Sequence, residues 1–134
     1  MIEFFNPPEA PAPGAFSRAT RAASLVFVSG TGAGNDTGGK AREGTATEET
    51  RWALQNVSKI LAAAGTSLER VVQVTMLITN PADYDEINAE YVKHFRFGLP
   101  ARHTARFGVP TTAKVAFACI ALAVEPAENR PSAP

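Results

Sequence analysis

The chain has 134 residues, 45% of them hydrophobic, and thirteen basic side chains balance thirteen acidic ones. That length supports one domain with a real core, and the lack of any basic block argues against nucleic acid as a partner. The single cysteine, Cys119, rules out a disulfide framework within the chain and fits a reducing compartment.

Residues 1–15 are rich in proline, and Ile2 to Phe5 reads as a short edge strand before an extended connector. This start lacks the basic-then-apolar pattern of a signal peptide. The weakly alternating Phe16 to Ala22 and the apolar, β-branched Ser24 to Gly30 predict an antiparallel hairpin turning near Ala22-Ala23. Gly30 to Gly44 holds six glycines, but neither GxGxxG nor GxxxxGK[ST] spacing is met, so a surface loop is predicted over a phosphate cradle. Thr45-Ala46-Thr47-Glu48 is a capping box that starts a helix running to Ala64, with Gly65 as its stop. Ala46, Thr50, Ala53, Val57, Ile60, Leu61 and Ala64 form its core face, while Trp52 falls at a rim.

Ser67 to Arg70 is a turn, and Val71 to Thr79 is a strand. Asn80 caps a second helix with Pro81 at its first position and Asp83 in its first turn. Tyr84, Ile87, Tyr91 and Phe95 are its predicted buried stripe, Asn88 is a polar brace beside them, and His94 lies near its end without an evident partner. Pro100 ends that helix, so Arg102 opens a strand reaching Phe107. After a turn at Val109-Pro110, Lys114 to Val124 is the last strand. Its apolar run, Val115 to Val124, is about half the ~20 residues a membrane helix needs, so a cytoplasmic protein without a membrane partner is expected. Residues 125–134 are a polar, proline-rich tail, expected to be disordered or loosely laid on the surface. The chain is one domain, 1–134, with its core in 16–124.

The order β-β-α-β-α-β-β predicts an α+β fold, a mixed or antiparallel sheet with two helices on one face. Two helices cover one face, yet the last strand carries Val115, Phe117, Cys119 and Ala121 on one side and Ala116, Ala118, Ile120 and Leu122 on the other. A half-covered sheet normally alternates apolar with polar. The surplus apolar face predicts a homo-oligomer with a pocket at the subunit interface and Arg102 at its edge. No metal-ligand spacing, GxSxG elbow or credible Cys–His pair is present. Arg102 suits a bidentate carboxylate or phosphate, and Ser29, Gly30 and Asn88 are expected near it.

Residues 16–124 resemble the Rid family, the YjgF-type reactive-intermediate deaminases. The resemblance rests on Leu25-Val26-Phe27-Val28-Ser29-Gly30, the capped helix ending Ala63-Ala64-Gly65, Leu68-Glu69-Arg70-Val71-Val72, Ile87-Asn88-Ala89-Glu90-Tyr91, Pro100-Ala101-Arg102 and Ile120-Ala121-Leu122-Ala123-Val124. It implies a chorismate-mutase-like α+β fold, a homotrimer with clefts between subunits, and hydrolysis of imines or enamines such as 2-aminoacrylate to a 2-oxo acid and ammonia, without a cofactor. Arg102 would bind the substrate carboxylate, the Gly30 amide and the Thr104 carbonyl would line the cleft, and Ser29 and Asn88 would lie near it. The chain departs from the family pattern at several positions. The usual last-strand glutamate falls at Ala118 and a second family acid at Ala116. The usual tyrosine is Phe16, the polar residue after Ser29-Gly30 is Thr31, and the serine after the arginine is His103. His103 neighbours Arg102 on a strand and so points to the other face. These departures leave a second reading open: a non-deaminating relative that binds a small carboxylate. Ribonuclease or translation inhibition, a label of some relatives, is disfavoured by the charge balance.

Overall fold

Chain order dictates the layout, and the elements are described from a computed structural model covering residues 1–8 and 14–124. The predicted tail, 125–134, and part of the proline-rich connector lie outside the described residues. Strand β1 (Glu3–Phe5) runs antiparallel to β2 (Ala19–Ala22), which pairs with β3 (Leu25–Thr31). Ala22 faces Leu25 across a two-residue turn in which Ala23 takes φ +52°. A left-handed residue there gives the turn the twist that matches its strands.

Helix α1 (Ala46–Ala63) forms where its capping box predicts. The Thr45 hydroxyl accepts from the Glu48 amide at 3.1 Å, and the Glu48 carboxylate accepts from the Thr45 amide at 3.0 Å. Gly65, at φ +83°, ends it in a conformation that side chains resist. All seven residues of the predicted face are buried, and Leu54 and Glu49 join them. Trp52 is partly exposed and lies under the Arg42 guanidinium, 3.9 Å from the ring centroid. The glycine loop before the helix is pinned locally by an Asn35–Ala41 bridge, and Asp36 accepts from the Gly38 and Lys40 amides.

Strand β4 (Val71–Ile78) leads to a single 3-10 turn, Pro81–Asp83, capped by the Asn80 side chain accepting from the Ala82 amide at 3.0 Å. Helix α2 (Tyr84–Tyr91) follows and tightens into a 3-10 turn, Val92–His94. Its crossover returns the chain in the same direction, so β5 (Ala101–Arg106) lies parallel to β4. Strand β6 (Val115–Leu122) then inserts antiparallel between β3 and β4, giving the order β1-β2-β3-β6-β4-β5. The mixed sheet of the α+β expectation is observed.

Both helices cover one face. Beneath them lie Val26, Val28, Val74, Met76, Ile78, Val115, Phe117, Cys119 and Ala121. The other face carries Leu25, Phe27, Leu77, Ala118, Ile120 and Leu122 with no second layer over it among the described residues; Phe27 is 39% and Leu122 44% exposed. One prediction fails on α2. Ile87, Tyr91 and Phe95 are buried, but Tyr84 is 39% exposed. It opens the helix at the edge strand, where its hydroxyl meets Arg102 of β5. No helix among the described residues is long and apolar enough to cross a membrane.

Glu49 is the buried polar residue that joins these parts. Its carboxylate accepts from the Gly44 amide at 3.1 Å, the Lys114 amide at 2.9 Å and the Lys114 ammonium at 3.3 Å. Removing it strands buried donors, so Glu49→Ala is expected to cost about 2–4 kcal/mol, seen as a lowered urea midpoint at unchanged slope. Glu3→Ala, which removes an exposed 3.9 Å ion pair with Arg21, is the control and should change stability by about 0.5 kcal/mol or less.

Candidate active site

Parallel pairing fixes which way each residue of β5 points. Arg102 is in register with buried Val74 and faces the helices; His103 is in register with Thr75 and faces the open side. The alternation expected for these neighbours is therefore observed. His103 Nε2 lies 2.8 Å from the Thr75 hydroxyl, and Ala118 is level with Thr75 on the same face. Thr104, in register with Met76, shares the side of Arg102.

The Arg102 guanidinium is held by α2. Its Nη2 donates to the Tyr84 hydroxyl at 3.1 Å, and its carbon stands 5.7 Å from the Tyr84 ring centroid and 4.7 Å from that of Tyr91. Tyr91 is itself fixed by Phe95 at 4.7 Å and Phe117 at 5.7 Å, centroid to centroid. Two aromatic faces restrain the cation without neutralising it. Among the described residues, no carboxylate forms an ion pair with Arg102. Beside it, Asn88 Oδ1 is buried without a hydrogen-bond partner among the described residues, and the Tyr91 hydroxyl is buried next to the guanidinium. Buried polar atoms are normally satisfied, so this pair and the guanidinium form a ready set of contacts for a polar ligand.

The two tyrosines differ in acidity. The Asn88 side chain first, then the Arg102 guanidinium, hold the Tyr84 hydroxyl below its ordinary value. Burial pushes the Tyr91 hydroxyl up, against the opposing charge of Arg102. Burial also pushes the Cys119 thiol up to about 12, which leaves it a poor nucleophile.

Within one chain the predicted site residues do not all come together. Arg102, Asn88 and Thr104 gather at the β5 edge. Ser29 and Gly30 lie on β3, three strands away in the sheet order, so within a single chain they are not beside Arg102. At strand spacing that is about 14 Å. The late insertion of β6 between β3 and β4 causes the separation. The Ser29 hydroxyl donates to the Ser17 carbonyl at 2.7 Å, and Gly30 and Phe16 are exposed beside that end of the sheet. The expected cleft side chain Thr31 is instead 4% exposed under the helices, donating to the Ser29 carbonyl at 2.7 Å, because a bulge between Val28 and Thr31 turns it inward. Ala118 and Arg102 face opposite sides of the sheet. His94 is not unpartnered: its Nε2 is 2.8 Å from the buried Glu90 carboxylate. A cavity of about 450 Å³ lies between α1 and the glycine loop, walled by Arg18, Asp36, Arg42 and Lys59 among others, and Arg102 takes no part in it.

Tyr84 is the residue that sequence reasoning missed, because its place in an apolar stripe hid its hydroxyl. The available signal was its four-residue spacing from Asn88, which stacks the two on one face of a helix.

A family profile described as Endoribonuclease L-PSP matches residues 7–123. Protein mmf2, mitochondrial, of Schizosaccharomyces pombe is 33% identical over 112 residues, covering 81% of this chain and 87% of that protein. The 2-iminobutanoate/2-iminopropanoate deaminase of Rattus norvegicus is 35% identical over 89 residues, or 66% of this chain and 65% of that protein. Among solved structures, the Rid-family protein YyfA of Yersinia pestis superposes with TM-score 0.84 at 28% identity, over 91% of this chain and 99% of that one.

The contrast between the tyrosines is measurable. In a Tyr91→Phe background Tyr84 is the one remaining tyrosine. Its phenolate absorbance should grow in below the usual ~10. A nearby cation favours the anionic phenolate, so adding Arg102→Ala should move the midpoint upward. A midpoint at or above the ordinary value in the parent would contradict the described cluster.

Proposed function

The chain belongs to the endoribonuclease L-PSP (YjgF/Rid) family, and from that premise we propose that it hydrolyses reactive imines or enamines of the 2-aminoacrylate type to a 2-oxo acid and ammonia, without a cofactor. The observation that carries this reading is Arg102, an arginine restrained by two tyrosines with no ion-paired carboxylate beside it among the described residues. Such a guanidinium suits bidentate capture of a substrate carboxylate. The unpartnered Asn88 Oδ1 suits an N–H of the imine or of departing ammonia. The relative named 2-iminobutanoate/2-iminopropanoate deaminase bears a name of this chemistry. In the proposed reaction Arg102 anchors the carboxylate, the Gly30 amide and Thr104 carbonyl orient the imine, and water adds to its carbon. Orientation and fixed dipoles supply much of the acceleration.

We further propose a homotrimer in which the cleft forms between chains. Its support is the division of the chain itself: Arg102, Asn88 and Thr104 lie at one sheet edge, Phe16, Ser29 and Gly30 lie on the far strands, and an apolar sheet face is left open. A second copy would bring one chain's half to the other's. Ala118, facing away from its own Arg102, would meet only a partner's. The RNA-cleaving label of the family profile has less support. Charge is balanced, and the two histidines are apart, one against Glu90 and one against Thr75.

A second reading follows from Ala118, where the family's usual glutamate is absent: the chain binds a small carboxylate without deaminating it. Ammonia release from enzymatically generated 2-aminoacrylate separates the two, and no acceleration over buffer across a panel of imines would refute the first. Arg102→Ala is expected to lower kcat/KM by about 100-fold or more, as loss of a charge-assisted pair removes roughly 3 kcal/mol. A large gain of activity in Ala118→Glu would favour the second reading. Light scattering should give three times the chain mass; a stable monomer would contradict the assembly.

A further inference from the structure

The proposed reaction needs a group that moves protons, and the position where the family's glutamate would stand is Ala118. The cluster around Arg102 contains a titratable hydroxyl in reach. We propose that Tyr84 is the proton-transfer residue of this site, its hydroxyl positioned by the hydrogen bond from Arg102. The inference rests on the deaminase reading and adds a group to it.

Three observations carry it. The Tyr84 hydroxyl accepts from Arg102 Nη2 at 3.1 Å, so a carboxylate on the remaining guanidinium edge brings its neighbouring imine carbon next to that oxygen. Tyr84 is 39% exposed, whereas Tyr91 is 3% exposed, and the Tyr84 hydroxyl has the Asn88 and Thr104 side chains as further hydrogen-bond neighbours. The titratable and charged groups around this point are Arg102 from β5 and Tyr91 from α2; none is a carboxylate among the described residues. The neighbouring Asn88 side chain and the guanidinium also hold the Tyr84 hydroxyl below its ordinary value, closer to the range where it exchanges protons.

The steps balance. As water oxygen bonds to the imine carbon, the C=N π pair moves to nitrogen, which takes the phenolic proton while Tyr84 accepts one from the water. The product is a carbinolamine. In its collapse the C–N bond breaks with its electron pair, nitrogen takes the Tyr84 proton and leaves as ammonia, and the hydroxyl proton returns to Tyr84 as the C=O bond forms. Tyr84 ends as it began.

The test compares full-length wild type, Tyr84→Phe and Arg102→Ala in two assays: ammonia release from enzymatically generated 2-aminoacrylate as a function of pH, and the Kd for pyruvate by calorimetry. Tyr84→Phe is expected to keep the pyruvate Kd within about threefold while kcat falls by about 10²–10⁴, the usual worth of a positioned acid–base group. Its residual rate should also lose the alkaline limb of the pH profile. Arg102→Ala should instead lose pyruvate binding. A wild type that releases ammonia together with a Tyr84→Phe variant whose kcat stays within threefold overturns the role of Tyr84 and leaves the deaminase reading standing. A loss in Tyr84→Phe confined to Kd and KM overturns it too, since the hydroxyl would then only position Arg102. A wild type without activity overturns both readings together.

Discussion

The fold hangs on a buried carboxylate. Glu49 is 1% exposed on the inner side of α1, yet it is chosen over an apolar residue because three donors converge on it. The Gly44 amide ends the glycine loop, and the Lys114 amide and ammonium mark the entry to β6. A buried charge is costly unless it is paired and hydrogen-bonded, and here both conditions hold. The consequence is geometric. One side chain fixes the start of the long helix, the end of the loop before it and the entry of the strand that occupies the middle of the sheet.

A second carboxylate does the same for α2. Glu90, 3% exposed, receives Arg51 from α1 at 3.3 Å and His94 from its own end at 2.8 Å. Burial works against its ionisation, but the hydrogen bonds from His94 and Arg51 outweigh that and hold it below its ordinary value. A lowered carboxyl value means that this contribution to stability is present above the unfolded-state value and is lost as pH falls through the folded one. The pairing sets how α2 lies against α1. With Ile87, Tyr91 and Phe95 in the core, it leaves Tyr84 and Asn88 turned toward the edge strand. The aromatic clamp on Arg102 is thus a downstream result of an ion pair between helices.

Much of this was legible in the chain itself. The capping box at Thr45 and Glu48, the Asn80 cap before Pro81, and the extended segment opened by Arg102 are local signals, and each appears where its residues stand. The opposite facing of Arg102 and His103 followed from strand alternation alone. What was not legible depends on contacts between distant segments. Nothing local says that β6 enters between β3 and β4, and that insertion separates Ser29 and Gly30 from Arg102. Nothing local marks the bulge that turns Thr31 inward. Nothing local marks Glu49, because the Lys114 that donates to it lies 65 residues further along the chain. Tyr84 read as core because periodicity counts residues and does not see where the sheet ends.

The position of β6 in the sheet bears on the chemistry. A six-stranded sheet of this order is too wide for its two margins to serve one small ligand. An arginine lies on one margin and polar backbone on the other, and the proposed trimer is what would bring them together. A hydroxyl on the same helix as the clamp escapes that constraint. Tyr84 and Arg102 belong to one chain, joined by one hydrogen bond, so their relation does not depend on assembly. An acid in β6 at position 118 faces the opposite side of the sheet and could act only on a neighbour's guanidinium. Placing the proton-transfer group at the start of α2, as proposed, changes more than its chemistry, from carboxyl to phenol. In the proposed reaction it puts anchor and proton donor in one chain, on elements tied together by the buried Glu90 pairing.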